Sequence, residues 1–263
     1  MEDIINCSEE SVQRDHHCGS AGKLFVVGIG PGNPLDRTRR AELAIAASSL
    51  VVGYDPYVAS LTDLCVGKET ITSGMRQESE RCHIALQRAW QGETVSLVSS
   101  GDAGVYGMAG LAMEMAAAEN LVVEIEVIAG VSAANAAAAQ LGAPLMLDSA
   151  TISLSDLLVP WETIVTRLEA VAAADMVVSL YNPRSKKRVH QLDDAAKIFR
   201  QYRAGNTPVG IVTAAGDSQQ QVVYSDLDHF LDEEIGMRSL VIVGNSTTRI
   251  IGGHMVTPRG YYR

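Results

Sequence analysis

The chain has 263 residues, 47% of them hydrophobic, and a formal net charge of −10 from 21 Lys and Arg against 31 Asp and Glu. That length accommodates one large domain or two small ones with a sizeable core. The acidic balance argues against nonspecific nucleic-acid binding, which needs cations to displace counterions, and no apolar run reaches the length of a membrane span.

Residues 1–21 are polar and aperiodic and read as a flexible extension. Glu2, Asp3, Glu9 and Glu10 stand where a signal peptide needs a basic start and an apolar middle, so a cytoplasmic protein is expected. Cys7, His16, His17 and Cys18 share this stretch, but no periodicity fixes a ligand geometry there. None of the four cysteines forms a CxxC pair, and no metal site is expected.

Beyond the extension, short apolar runs alternate with helical patterns, the signature of an α/β sheet covered by helices. Strands are expected at Leu24–Ile29, Leu50–Gly53, Val95–Ser99 and Val122–Ala129, with helices at Thr38–Ala47, Ser79–Trp90 and Tyr106–Ala118 between them. Cys82, Ala85 and Ala89 keep one helical face. Ser132–Leu141 is a small-residue helix stopped by Gly142 and Pro144, which places a domain boundary there: 22–143 and 144–263. In the second half Pro160 opens a helix with an Ile164, Leu168, Val171 stripe. Strands are expected at Met176–Leu180, Val209–Thr213, Gln221–Tyr224 and Leu240–Val243. Helices are expected at Lys186–Tyr202 and Ser225–Glu234.

Two glycine-rich junctions stand out. "FVVGIGPGNP" (Phe25–Pro34) ends a strand with Gly28, Gly30 and Gly32. Its spacing is one residue short of the dinucleotide fingerprint G-x-G-x-x-G, and Pro31 removes an N–H that a phosphate cradle would use. No Gly-Lys-Ser/Thr follows, so the P-loop pattern is absent as well. "SSGDAGVYGMAG" (Ser99–Gly110) joins a strand to a helix and combines four glycines with Asp102, which suits close approach of a small polar ligand.

With these segments the sequence resembles the tetrapyrrole (corrin/porphyrin) methylases, over about Lys23 to Tyr262. "VGIGPGNP", "VVGYDPY", "SSGDAGVYGMAG", "AGVSAANAAAAQLGAPL", "ISLSDLLVPWE", "LYNPRSKKR", "TPVGIV", "VIVGNSTT" and "MVTPRGYY" occur in family order. "ISLSDLLVPWE", "LYNPRSKKR" and "TPRGYY" resemble the precorrin-3B C(17)-methyltransferase branch of cobalamin biosynthesis. "ERCHIALQ" leans toward its cobalt-dependent version.

The resemblance implies a two-domain fold, not Rossmann-like, with S-adenosylmethionine in the interdomain cleft, a precorrin or cobalt-precorrin-3B substrate, and a homodimer. It implies cofactor contacts from Gly101, Asp102, Val105, Tyr106, Ser132, Ala133, Leu180, Tyr181 and Ala215. Gly28, Gly30, Pro31 and Gly32 would floor the macrocycle site. Arg76 and Arg184 are candidate partners for substrate carboxylates, with Arg37, Arg39, Arg40 and the "RSKKR" run further cations. The family reaction couples methylation to ring contraction, so proton carriers are expected; Asp148, Ser153 and Ser155 are the candidates, Asp156 a further one. Ser155 and Asp156 read equally well as caps of the following segment.

Three departures bear on activity. Leu147-Asp148-Ser149 replaces the family's His-Asp-Phe, "AGV" at Ala129–Val131 replaces Pro-Gly-x, and Asp217 stands where an arginine is usual. Another precorrin methylase, an RNA or diphthamide methyltransferase, and a catalytically impaired tetrapyrrole-binding homologue are the alternative readings.

Overall fold

The computed structural model describes residues 22–261; the Cys7/His16/His17/Cys18 group lies outside the described residues. The first half runs β1 (Lys23–Gly28), α1 (Arg39–Ala47), β2 (Leu50–Tyr54), α2 (Asp55–Ala59), β3 (Glu69–Ser73), α3 (Glu78–Trp90), β4 (Thr94–Ser99), α4 (Ala109–Ala118) and β5 (Glu124–Ile128). Its five strands pair in the order β3-β2-β4-β1-β5, all parallel. Near-continuous apolar strands of this kind are buried on both faces. Leu24 and Val26 of β1 join Val95 and Leu97 of β4 under α3 and α4. Val27, Val51 and Val98 point the other way, under α1 and α2.

The chain then forms α5 (Ala133–Leu141), β6 (Gly142–Ala143), β7 (Ser149–Ser153), α6 (Trp161–Ala173), β8 (Val177–Tyr181), α7 (Gln191–Arg200), β9 (Pro208–Thr213), β10 (Gln221–Asp226), β11 (Ser239–Val243), β12 (Arg249–Ile251) and β13 (His254–Val256). A second sheet orders β10-β9-β11-β8-β7, antiparallel except for β7 beside β8. Val178, Leu180, Val209, Ile211, Val241 and Val243 face α6 and α7. Val177, Val212, Leu240 and Ile242 face α5. The helix ahead of the expected boundary thus packs on the second sheet, and β6 pairs with β13 in a small third sheet.

Several expected elements differ. Ser225–Glu234 is not a helix: β10 continues to Asp226, whose Oδ1 accepts the N–H groups of Asp228 (3.1 Å) and His229 (3.0 Å) and closes a turn. Only Phe230–Asp232 makes a 3-10 turn, with Phe230 fully buried. The helix expected from Lys186 begins at Gln191, because Ser185 Oγ accepts the N–H groups of Lys187 and Arg188 in a preceding turn. The basic run is therefore a turn and sets no charge against a helix dipole. α4 begins at Ala109 instead of Tyr106, and β5 covers only Glu124–Ile128. The edge strand β3, "ETITS", lacks an apolar run and escapes a hydrophobic reading, as do β7 and the short β6, β12 and β13.

The carboxyl ends of β1, β4 and β5 converge through glycine. A Cβ at Gly28 would stand 2.7 Å from the Gly101 carbonyl oxygen and 2.8 Å from the Gly130 amide nitrogen. One at Gly130 would run into the carbonyl oxygens of Gly101 and Gly28. Gly130→Ala is expected to destabilise the protein by about 1–3 kcal/mol, the usual cost of overpacking. Gly110→Ala, on an exposed helical position with nothing within 4 Å, is expected to stabilise it by about 0.5 kcal/mol. Urea unfolding of the two variants checks both signs.

Candidate active site

In the first sheet β1 leads to β2 on one side and β4 leads to β5 on the other, so the strand order reverses between β1 and β4. Ligands of open parallel sheets bind at the carboxyl ends of strands at such a reversal. Gly30 and Gly101 exchange two backbone hydrogen bonds across this crevice, at 3.1 Å and 2.7 Å. Gly30 has φ of +80° and Gly101 +64°, left-handed values that glycine adopts without strain.

Asp102 braces the site. Its Oδ1 accepts the Gly104 N–H at 2.8 Å and its Oδ2 accepts the Gly130 N–H at 2.9 Å, so one carboxylate ties the loop after β4 to the loop after β5. Val105 is 37% and Tyr106 56% exposed beside it. Ser132 caps α5 by accepting the Asn135 N–H at 3.3 Å, and Ala133 begins the helix.

The second half supplies the facing wall. β7, β8 and β9 end at the same edge, at Ser153, Tyr181 and Thr213. The Tyr181 hydroxyl accepts the Ala134 N–H at 2.9 Å, and its ring stands 5.1 Å from that of Tyr106. The Tyr106 hydroxyl donates to the Thr151 carbonyl at 3.3 Å. Burial pushes both phenols above their ordinary pKa, so both stay protonated at neutral pH. Ala215 and Gly216 meet the first glycine loop: a Cβ at Gly32 would lie 3.5 Å from the Ala215 carbonyl oxygen, and one at Gly216 3.0 Å from the Asn33 nitrogen. Leu180 stands apart, since its side chain is fully buried in the second core.

The candidate proton carriers divide. Ser153 Oγ accepts from Asn182 Nδ2 at 2.9 Å and from the Ser155 N–H at 3.2 Å, while Ser155 Oγ accepts from Arg188 Nη2 at 3.0 Å. Arg188 Nη1 also donates to the Asn182 carbonyl at 2.8 Å. Asp156, the further candidate, instead accepts from Gln191 Nε2 at 2.9 Å. Asp148 is exposed and precedes β7 at its opposite end, beside Val177; five strand residues separate it from this cluster by roughly 16 Å. Leu147 and Ser149 lie at that far end too.

Asp217 accepts the Gln219 N–H at 2.9 Å and pairs with Arg238, Nη2 to Oδ2 at 2.6 Å, and these partners hold its carboxyl below the usual range. Gly28 and Gly30 are buried, and backbone packing accounts for the missing side chains. Pro31 is half-buried, with its ring near Gly216. Arg76 is exposed at φ of +69° between β3 and α3, at the carboxyl edge of the first sheet. Arg184 lies on the loop after β8 and donates to Asp193 at 3.0 Å. Asn182 and Arg238 join the site without a role expected from the sequence. Asn-Pro at 182–183 was the available signal for the first, because Asn tolerates the left-handed φ of +52° found there.

The family model described as "Tetrapyrrole (Corrin/Porphyrin) Methylases" matches residues 23–230. The chain is 47% identical to a protein of Priestia megaterium named cobalt-factor III methyltransferase, over 92% of this chain and 46% of that one. It therefore spans about half the length of that relative. With a probable cobalt-factor III C(17)-methyltransferase of Salmonella typhimurium it shares 45% identity over 90% of this chain and 99% of the relative. The crystal structure of the methyltransferase CobJ superimposes with a TM-score of 0.84 at 36% identity, covering 90% of this chain and 100% of that one.

Two variants test the brace and the wall. Asp102→Ala removes an acceptor of two backbone N–H groups and is expected to cost on the order of 2 kcal/mol; a thermal midpoint equal to wild type would exclude this bracing role. Tyr181→Phe leaves the Ala134 N–H without its acceptor and is expected to cost about 1 kcal/mol, measured by urea unfolding.

Proposed function

We propose a function from one premise: the chain belongs to the tetrapyrrole (corrin/porphyrin) methylases. It methylates C(17) of a cobalt-factor III or precorrin-3B ring, with ring contraction, in cobalamin biosynthesis. The observation that carries this reading is the likeness to the Salmonella relative across nearly the full length of both chains. The name cobalt-factor III is that relative's. The methyl donor is S-adenosylmethionine, the enzyme works in the cytoplasm as a homodimer, and the substrate is a free tetrapyrrole. No helix among the described residues is long and apolar enough to cross a membrane.

The residues of the β1/β4 crevice suit the donor. Asp102 offers negative charge to a cationic group, and Val105 and Tyr106 offer exposed apolar surface to a flat ring. When bound, S-adenosylmethionine supplies an electrophilic methyl on a sulfonium. Displacement at that carbon needs alignment and little covalent help, and positioning supplies several kcal/mol, up to about 7–11 in well-oriented cases. The chain provides alignment through the Gly30–Gly101 bridge, the Asp102 brace and the Tyr106–Tyr181 wall.

Ring contraction requires a proton donor, and we assign Ser155. Its oxygen accepts from the Arg188 guanidinium, which polarises the hydroxyl and leaves its O–H free to donate. Ser153 is held in place by Asn182. Asp148 takes no part, because it stands at the wrong end of β7. By the same geometry the loss of histidine at Leu147 leaves the Ser153–Ser155 edge unchanged. The division into residues 22–143 and 144–263 is part of this proposal with one adjustment: the packing of α5 on the second sheet moves the boundary toward Gly130.

Incubation with methyl-labelled S-adenosylmethionine and cobalt-factor III is expected to move label into the ring and shift its absorbance. Tight cofactor binding without label transfer would overturn the catalytic reading and leave a binding protein. Label transfer without the spectral shift in Ser155→Ala is the expected separation of methylation from contraction.

A further inference from the structure

The loop after β9, residues 214–220, brings Ala215 and Gly216 against the first glycine loop. A Cβ at Gly32 would lie 3.6 Å from the Asp217 nitrogen, and one at Gly216 3.4 Å from Cγ of Pro31. The backbone of this loop is not relaxed. Ala214 has φ of +53° and Gly216 +77°, and a residue with a Cβ is disfavoured in the left-handed region. Packing does not support the loop from behind either. A cavity of about 760 Å³ lies between residues 213–214 and 218–221 on one side and the Ile235–Met237 wall on the other.

Polar bonds hold the loop instead. Arg238 grips it at three points. Its carbonyl accepts the Ala214 N–H at 3.0 Å, its Nη2 donates to Asp217 Oδ2 at 2.6 Å, and its Nη1 donates to Gln219 Oε1 at 3.1 Å. Asp217 closes the turn from inside: its N–H donates to the Ala214 carbonyl at 3.0 Å, and its Oδ1 accepts the Gln219 N–H at 2.9 Å.

Gln220 makes a second hold. Its Oε1 accepts the Gly216 N–H at 2.8 Å, and its Nε2 donates to Gln140 Oε1 at 2.9 Å. Gln140 lies on α5, and the neighbouring Leu141 carbonyl accepts the Tyr224 hydroxyl at 3.2 Å. Ala215 is thereby tied to the helix that opens with Ser132 and Ala133.

The Arg238 side chain is 55% and that of Asp217 36% exposed. Exposed ion pairs contribute little to global stability. In a strained loop with open space behind it, such a pair instead sets where the loop stands.

We propose that Arg238, Asp217 and Gln220 are positioning residues: they set the loop carrying Ala215 against Pro31–Asn33 and so align the two halves of the methyl-donor site. This role presupposes the methyl-donor reading proposed above.

Calorimetric titration of the full chain with S-adenosylhomocysteine tests it, with urea unfolding of the same samples as the stability control. Arg238→Gln and Gln220→Met are each expected to weaken binding about fivefold, because the fraction of molecules with the loop in place falls. The urea midpoint of Arg238→Gln should stay close to wild type. Arg238→Lys keeps the charge but not the fork that reaches both Asp217 and Gln219, and should recover part of the affinity. Gln140→Met should bind more weakly, while Gln140→Glu, which keeps an acceptor for Gln220, should bind as wild type does. Wild-type affinity in both Arg238→Gln and Gln220→Met overturns the positioning role and leaves the proposed function standing. Affinity losses that follow the urea midpoint, without recovery in Arg238→Lys or Gln140→Glu, overturn it as well, since the residues then serve stability alone. No binding by the wild-type protein overturns the methyl-donor reading and the positioning role together.

Discussion

The architecture depends on three backbones meeting at one point. Gly28, Gly101 and Gly130 end β1, β4 and β5 so closely that no Cβ fits at the first or the third. The Gly30–Gly101 bridge extends that junction past the sheet, and the Asp102 carboxylate closes it by accepting two N–H groups from different loops. Removing side chains there lets the three backbones close directly on one another, which fixes the loops that leave the strands at the strand-order reversal.

The second sheet is attached through the same junction. Residues 31–33 lie against residues 215–217, and the hydroxyls of Tyr106 and Tyr181 each bond to backbone contributed by another segment of the site. Helix α5 carries the connection, starting beside the crevice at Ser132 and running down the second sheet to Leu141. Movement of one sheet against the other would break these contacts together. A methyl-transfer site needs that coupling, because misplacement by an ångström forfeits much of the alignment term.

Charge is distributed unevenly along the carboxyl edge of the second sheet. Asp217 with Arg238 makes a neutral pair on one side of the Ile235–Met237 wall, and the cations of residues 184–188 stand on the other. At the position where the resemblance implies a cation, Asp217 is paired with Arg238 from the neighbouring loop, so the place carries no net charge.

The sequence by itself determined the α/β class, the apolar strands and the glycine junctions, because burial on both faces demands continuous runs such as "LFVVGIG" and "VSLVSS", and close backbone approach demands glycine. It also carried the family through segments in fixed order. Only the tertiary structure decided which polar residues share an edge. Asp148 and Ser155 are seven positions apart and flank opposite ends of β7, while Ser155 and Arg188 lie on the segments that follow β7 and β8 and meet. "RSKKR" has helical composition but turns, because a single hydroxyl at Ser185 offers the backbone a nearer acceptor. Local pattern fixes which residues face a core; the ends at which polar residues gather follow from strand order and direction, set by long-range packing that no short window contains.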